Sequence, residues 1–318
     1  MRTLALSVAL LLASCAPKTA PPELLPLPKE VEWTGGTVPE TLPVAVHRAP
    51  VDVPLNPEQA YRLQVDSDSI RITAMGDEGL WNARQTLRQL ARSGRIPRCT
   101  ITDWPSFRIR GWMMDAGRTW ISPEELKREI DNLSRFKLNV FHWHLTENEA
   151  YRIESLQHPA LNAPESMTRQ PGRFYTLAEA REIDAYAWER GVTVIPEVDM
   201  PGHSAAFERA FGFGMQTPEG KAIVRDLVDE LCETFSGPWV HIGTDEVAFT
   251  DPDFVPEMVA RARSHGKKVI SWNPGWPYRA GEIDMTQLWS YRGKPTEGVP
   301  AIGCRLHYLN HFDTYGDL

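Results

Sequence analysis

Cysteine is scarce: four residues, at positions 15, 99, 232 and 304, in a chain of 318. One lies alone near the N-terminus, and the remaining three are an odd, scattered set that makes neither a disulfide framework nor a metal site. Positive charge is in deficit as well. Thirty-four Lys and Arg face 42 Asp and Glu, for a net charge of −8, and no basic stripe appears, so nucleic acid is excluded as an expected partner. Long apolar runs are missing too. The one candidate, residues 4–13, falls well short of the roughly 20 residues a membrane-spanning helix needs.

What is present begins with that short run. Met1-Arg2 is a basic start, residues 4–13 are an apolar stretch of signal-peptide length, and Leu12-Ala13-Ser14-Cys15 follows. This resembles the bacterial lipobox, in which the cysteine becomes a lipidated N-terminus; an ordinary cleaved signal peptide is the alternative. Ala16 rather than aspartate after the cysteine points, by analogy, to the outer membrane of a bacterial cell envelope. Residues 1–14 then read as the signal, and the Pro-rich residues 15–28 as a tether. The length suggests two domains, and an apolar content of 42% supports a large core. Eleven tryptophans are either core or aromatic walls for a ligand with apolar C–H faces, such as a sugar.

Residues 29–100 read as a small α+β domain. Tyr61, Leu63 and Val65 alternate, Asp66-Ser67-Asp68-Ser69 turns, Ile70 and Ile72 alternate again, and Leu80, Leu87 and Leu90 share one helical face that Gly94 ends. From residue 105 to 318 strands and helices take turns. Strands are expected over residues 107–116, 138–145, 193–199, 239–247, 268–273, 285–291 and 301–309. Capping boxes at Ser122-Pro123-Glu124-Glu125 and Thr176 to Glu179 open helices, and further helices fall near 221–235 and 256–265. Repeated βα units with polar strand ends argue for an α/β (β/α)8 barrel of the TIM type, of which seven strands are readable.

In such a barrel the C-terminal strand ends share one pocket. Trp239 to Val247 (WVHIGTDEV) runs a strand into two adjacent carboxylates, Asp245 and Glu246. Alone this is an ordinary acidic turn. The other strand ends add Asp115 and Arg118; His142, His144, Glu147 and Glu149; Glu197, Asp199 and His203; Trp272 and Trp289; and finally Tyr308 and Asn310. Paired carboxylates among histidines, one arginine and tryptophans suit general acid/base chemistry on a sugar.

At these residues the sequence resembles a known family. RGWMMDAGR, FHWHLTENEAYR, VIPEVDMPGH and HIGTDEV look like successive motifs of family 20 glycoside hydrolases, the β-N-acetylhexosaminidases, and YRLQVDSDSIRITAMGDEGLWNARQTLRQL is similar to their small N-terminal domain. The resemblance implies a retaining exo-enzyme that needs no cofactor and no metal. In it the substrate's 2-acetamido oxygen attacks its own anomeric carbon, an exception to the two-carboxylate scheme. It implies Glu246 as acid/base and Asp245 as the carboxylate that orients and stabilises the acetamido group. The nearby like charge is expected to raise the pKa of Glu246, while Asp245 stays ionised against the developing cation. It further implies Arg118 on sugar hydroxyls, Glu147 and His203 as a dyad supporting the acid/base, Trp272 and Trp289 as pocket walls, Tyr308 on the acetamido carbonyl and Asn310 near the outer hydroxyls. The expected partner is an N-acetylhexosamine-bearing oligosaccharide or glycoconjugate, with a membrane contact through Cys15. Three positions depart from the family pattern: Glu147 and Asn310 stand where aspartates are usual, and Thr244 where the turn usually has a second glycine. Family members also continue into an eighth strand and a closing helix, so the 318-residue chain is expected to be a C-terminally truncated barrel with two exposed edges. Two alternatives remain open: a non-catalytic glycan-binding lipoprotein of the same fold, and a metal-dependent hydrolase using His142 and His144 with His203 or His241.

Overall fold

The computed structural model describes residues 22–305. Cys15, Tyr308 and Asn310 lie outside them. The first unit is a five-stranded sheet built from β1 (Glu30–Pro39), β2 (Val44–Arg48), β3 (Tyr61–Val65), β4 (Ile70–Ala74) and β5 (Arg95–Asp103), in the order β1-β5-β3-β4-β2. The expected hairpin is β3 paired antiparallel with β4. Alternation places Leu63, Val65, Ile70 and Ile72 in the core while Arg62 and Arg71 face water. Helix α1 (Asp77–Leu90) lays Leu80, Ala83 and Leu90 on that core. Strands β1, β2 and β5 went unread in the sequence. Every residue of β2 is exposed, so it carries no buried alternation to find.

The second unit is a seven-stranded, wholly parallel sheet. Its elements in chain order are β6 (Gly111–Asp115), α2 (Pro123–Arg135), β7 (Val140–His144), α3 (Leu177–Trp188), β8 (Thr193–Glu197), α4 (Ala205–Phe211), α5 (Pro218–Thr234), β9 (Trp239–His241), α6 (Phe254–Ser264), β10 (Lys268–Asn273), β11 (Met285–Leu288) and β12 (Ala301–Gly303). Each strand pairs with the next in sequence, from β6 to β12, as a barrel of right-handed βα units requires. Both predicted capping boxes are present: Ser122 and Thr176 each accept from the backbone N–H three residues on, and Glu125 and Glu179 reach back. Gly191 and Gly266 follow α3 and α6 at φ 71° and 76°, the left-handed conformation glycine adopts at no steric cost.

Several strands are shorter than expected, among them 107–116, which is paired only over Gly111–Asp115, and 285–291, paired only over Met285–Leu288; the one that ends at the carboxylates is shortened for a clear reason. The stretch 239–247 is β-paired only over β9, three residues, because Gly243, Thr244 and Glu246 have φ of 68°, 86° and 51°. A left-handed residue cannot continue a strand. The carboxylates therefore sit on a tight loop beyond the strand end.

The two units are joined by buried polar contacts. Trp81 of α1 donates to Ser134 of α2 at 2.8 Å. Lys137, buried and at φ 61°, donates to Asp103 at 2.8 Å and to Tyr61 at 3.1 Å. Such a pair is costly to break because a lone buried charge would remain.

Candidate active site

Strand register sets the base of the site. Asp115 pairs with His144, His144 with Glu197, and Glu197 with His241, so four polar residues from four adjacent strands form one layer at the C-terminal ends. His142 lies two residues before His144 on the same strand face. Glu197, with no solvent exposure, is the hub. Its carboxylate accepts from Trp272 Nε1 at 2.7 Å and meets His144 Nδ1 at 2.7 Å, His142 Nε2 at 2.8 Å and His241 Nδ1 at 3.2 Å. Burial alone would raise its pKa, but the charge and hydrogen bonds of His144, His241 and His142 outweigh it and hold the carboxyl well below the usual range. His144 moves oppositely: burial lowers it, and Glu197 and Glu147 raise it further, leaving an imidazolium. His241 is pushed down to about 4, chiefly by burial, and stays neutral. One carboxylate and one imidazolium thus form a desolvated pair, with His241 as a neutral partner.

Above this layer stands a second one. Glu147, its side chain 1% exposed, meets Arg118 in a short ion pair and His203 Nδ1 at 2.8 Å. Burial would raise Glu147, but hydrogen bonds from His144, His203 and the Asn148 N–H take it well below the usual range. The Glu147 hydrogen bond raises His203 in turn. His203 Nε2 then points at Glu246 Oε2, 3.3 Å away, and at Asp245 Oδ2, 3.8 Å away. The extra methylene of Glu147 does not break the dyad with His203. Arg118 also holds Asp115 at 2.5 Å.

The adjacent carboxylates occupy different surroundings. The Glu246 side chain is 57% exposed and that of Asp245 14%. Asp245 is raised to about 6, first by burial and then by the charge of Glu197. Asp199, behind it, is raised well above the usual range by burial, Asp245 and Glu197. Two desolvated carboxyls this close cannot both ionise freely. The loop geometry follows from Asp199. It accepts the Thr244 N–H at 3.1 Å, and a Cβ on Gly243 would fall 1.7 Å from its Oδ1. Thr244, a β-branched residue in the left-handed region, explains why glycine is usual there: the threonine is strained.

The sequence-predicted residues are brought together in part. Arg118, Glu147, His203, Asp245 and Glu246 form one connected group. Trp272 lies lower, 6% exposed, with its ring edge on Glu197 and its face near His142 and His241. Trp289 is partly buried, its Nε1 donating to the Pro274 carbonyl at 3.0 Å. Two features went unread. Glu197 was placed in the pocket without a role; only the strand register reveals it as a hub. Arg152, fully buried, donates to the carbonyls of Gly117, Arg169, Gln170 and Arg173 and so fixes the backbone next to Arg118. The arginine that closes the FHWHLTENEAYR motif, between Tyr151 and Ile153, was the available signal. Among the described residues, two groups have the spacing to hold a cation, His142-Glu197-His241 and Asp199-His203-Asp245. In the first, both rings already meet Glu197 at hydrogen-bond distance, and in the second His203 Nδ1 is committed to Glu147.

Comparison with known proteins agrees with this arrangement. A model described as glycosyl hydrolase family 20, catalytic domain, matches residues 107–217, and one described as glycosyl hydrolase family 20, domain 2, matches residues 29–104. A beta-N-acetylhexosaminidase of Cellulomonas fimi is 32% identical over 89% of this chain and 63% of its own length. A beta-hexosaminidase of Porphyromonas gingivalis is 35% identical over 74% of this chain and 38% of its own. The chain thus spans between about two fifths and three fifths of the length of these curated relatives. Among solved structures, a Bacteroides fragilis beta-N-acetylhexosaminidase superposes with a TM-score of 0.73 at 26% identity, covering 85% of this chain and 70% of that one. A Vibrio harveyi exo beta-N-acetylglucosaminidase solved with N-acetylglucosamine gives 0.72 at 26% identity, covering 84% and 57%. A curled parallel sheet ending in Asp245-Glu246, carried behind a small five-stranded domain, places this chain in glycosyl hydrolase family 20.

Proposed function

We propose that the protein is a retaining exo-β-N-acetylhexosaminidase that removes terminal β-linked GlcNAc or GalNAc from oligosaccharides or glycoconjugates. The observation that carries this reading is the division of labour between two adjacent carboxylates: Glu246 is exposed and within 3.3 Å of His203 Nε2, while Asp245 is largely buried. Glu246 gives its proton to the leaving glycosidic oxygen as the substrate's acetamido oxygen attacks C1 and the C1–O bond breaks. Asp245, ionised, accepts the acetamido N–H and stabilises the oxazolinium ion electrostatically. Water then adds to C1 as the bond from C1 to the acetamido oxygen breaks and the acetamido group is restored, and Glu246 takes the proton that the water gives up. Glu147 and His203 hold Glu246 in place, and Arg118 holds sugar hydroxyls. Trp272 and Trp289 wall the acetamido pocket. Tyr308 and Asn310 complete the site by resemblance. The names of the relatives and the sugar in the Vibrio harveyi structure support the substrate class. The chain is further proposed to be a lipoprotein anchored through Cys15 at the outer membrane, residues 1–14 being its signal and 15–28 its tether.

A thiazoline analogue of the cyclised intermediate tests the mechanism. It should inhibit strongly and competitively, and Asp245→Asn should weaken it about 10²-fold or more. A covalent glycosyl-enzyme trapped on any carboxylate would replace this mechanism with a protein nucleophile.

A further inference from the structure

An open cleft of about 750 Å³ lies between the small domain and the barrel, away from the carboxylates. Arg88 and Arg92, in and just after α1, line one side, and Arg135 at the end of α2 lines the other. The acidic residues of the lining, Asp131 and Glu189, both face Arg190, at 2.6 Å and 3.7 Å. Arg88, Arg92 and Arg135 form no ion pair among the described residues, and four arginines against two acids leave the lining with a net charge of +2 in a chain whose net charge is −8.

Two facts of topology fix where this patch sits. First, α2 and α3 run back against the strand direction, so their C-terminal ends, which carry Arg135 and Arg190, lie beside the N-terminal ends of β7 and β8. The cleft is therefore on the barrel face opposite the catalytic loops. Second, the N-terminal segment joins the fold at this cleft. Gln89, a lining residue, accepts from the Leu25 N–H at 2.8 Å and donates to its carbonyl at 2.6 Å. Leu24 is buried, and Leu25 and Leu27 stand exposed. Phe136, immediately after Arg135, is also exposed. Cys15 precedes Leu25 by ten residues, a reach of at most roughly 35 Å.

We propose that this arginine-lined cleft is a docking surface for the anionic phospholipid headgroups of the membrane that holds the Cys15 anchor. The proposal rests on the reading of Cys15 as lipidated. A tether that short keeps the cleft close to the headgroup layer, where guanidinium groups bind phosphates bidentately and exposed leucines and Phe136 enter the interfacial zone. Docking through this face turns the catalytic mouth outward, toward soluble glycans.

The test uses the full chain carrying Cys15→Ser, which removes the lipid but keeps the cleft. Its co-sedimentation with vesicles of phosphatidylcholine plus phosphatidylglycerol is compared with vesicles of phosphatidylcholine alone. The expected result is binding to the anionic vesicles only, weakening with salt. Arg88→Glu, Arg92→Glu and Arg135→Glu together should lower it about a hundredfold or more, from a factor of roughly five per lost cation. The corresponding triple Gln variant should fall between, which separates charge from misfolding. Equal binding by the Glu variant, no binding to anionic vesicles at low salt, or capture of soluble polyphosphate without vesicle binding would each overturn the proposal. Membrane fractionation of the natural chain against Cys15→Ser tests the lipid anchor separately, so the two failures are distinguishable.

Discussion

Asp245 is a place where the proposed chemistry and stability oppose one another, and the conflict has a magnitude. Its side chain is only 14% exposed, and burial plus the charge of Glu197 move its pKa from the ordinary 3.8 to about 6. The sign is that of a carboxyl raised on folding. Between those two values the folded state binds more protons than the unfolded one, so stability falls as pH rises. The gap corresponds to about 3 kcal/mol at pH 8 and vanishes below pH 3.8. Asp245→Asn removes the charge, keeps the shape, and offers an N–H to Asp199. The variant should therefore be more stable than the natural protein by up to about 3 kcal/mol at pH 8, and the advantage should shrink steadily as pH falls through 6 toward 4. The same titration should appear in catalysis, with kcat/KM of the natural protein declining below about pH 6 as Asp245 takes its proton. Urea unfolding of both proteins at several pH values measures the difference. A variant less stable at pH 8, or a stability difference independent of pH, would refute the electrostatic account of Asp245.

Two further outcomes follow from the loop and the acid. Glu246→Gln should lose roughly 10²–10⁴-fold in turnover on substrates with poor leaving groups, and far less on an activated aryl glycoside, which departs with little protonation; steady-state kinetics on both substrates checks this, and equal losses would move the acid elsewhere. Gly243→Ala should cost about 3 kcal/mol or more, because its Cβ would overlap Asp199 Oδ1 at a left-handed position. Thermal unfolding checks it, and a near-neutral effect would mean the loop is not held as described.

Much of the barrel was legible because its signals are local. The capping boxes at Ser122 and Thr176, the glycines after α3 and α6, and the alternation of Leu63, Val65, Ile70 and Ile72 each depend on residues a few positions apart. What stayed illegible depends on register. That Glu197 gathers His142, His144, His241 and Trp272 follows from the pairing of four strands, which no window of sequence contains. The loop after β9 was read as strand because Val240 and Ile242 alternate with His241; the left-handed Thr244 and Glu246 are imposed by Asp199, 45 residues earlier in the chain. Helix α4 was unread because seven residues after a Pro-Gly turn carry too little periodicity. The burial that raises Asp245 is likewise a product of the fold and has no local signal in the sequence.

The central claim is that the substrate's own acetamido group is the nucleophile, held by Asp245 while Glu246 moves the proton. The most direct measurement compares kcat/KM for an aryl N-acetyl-β-glucosaminide with that for the matching aryl β-glucoside, which differs only in lacking the acetamido group. The account predicts turnover of the first and a value at least about 10³-fold lower for the second, the loss expected when an aligned intramolecular nucleophile is removed. Comparable values for the two sugars would contradict it.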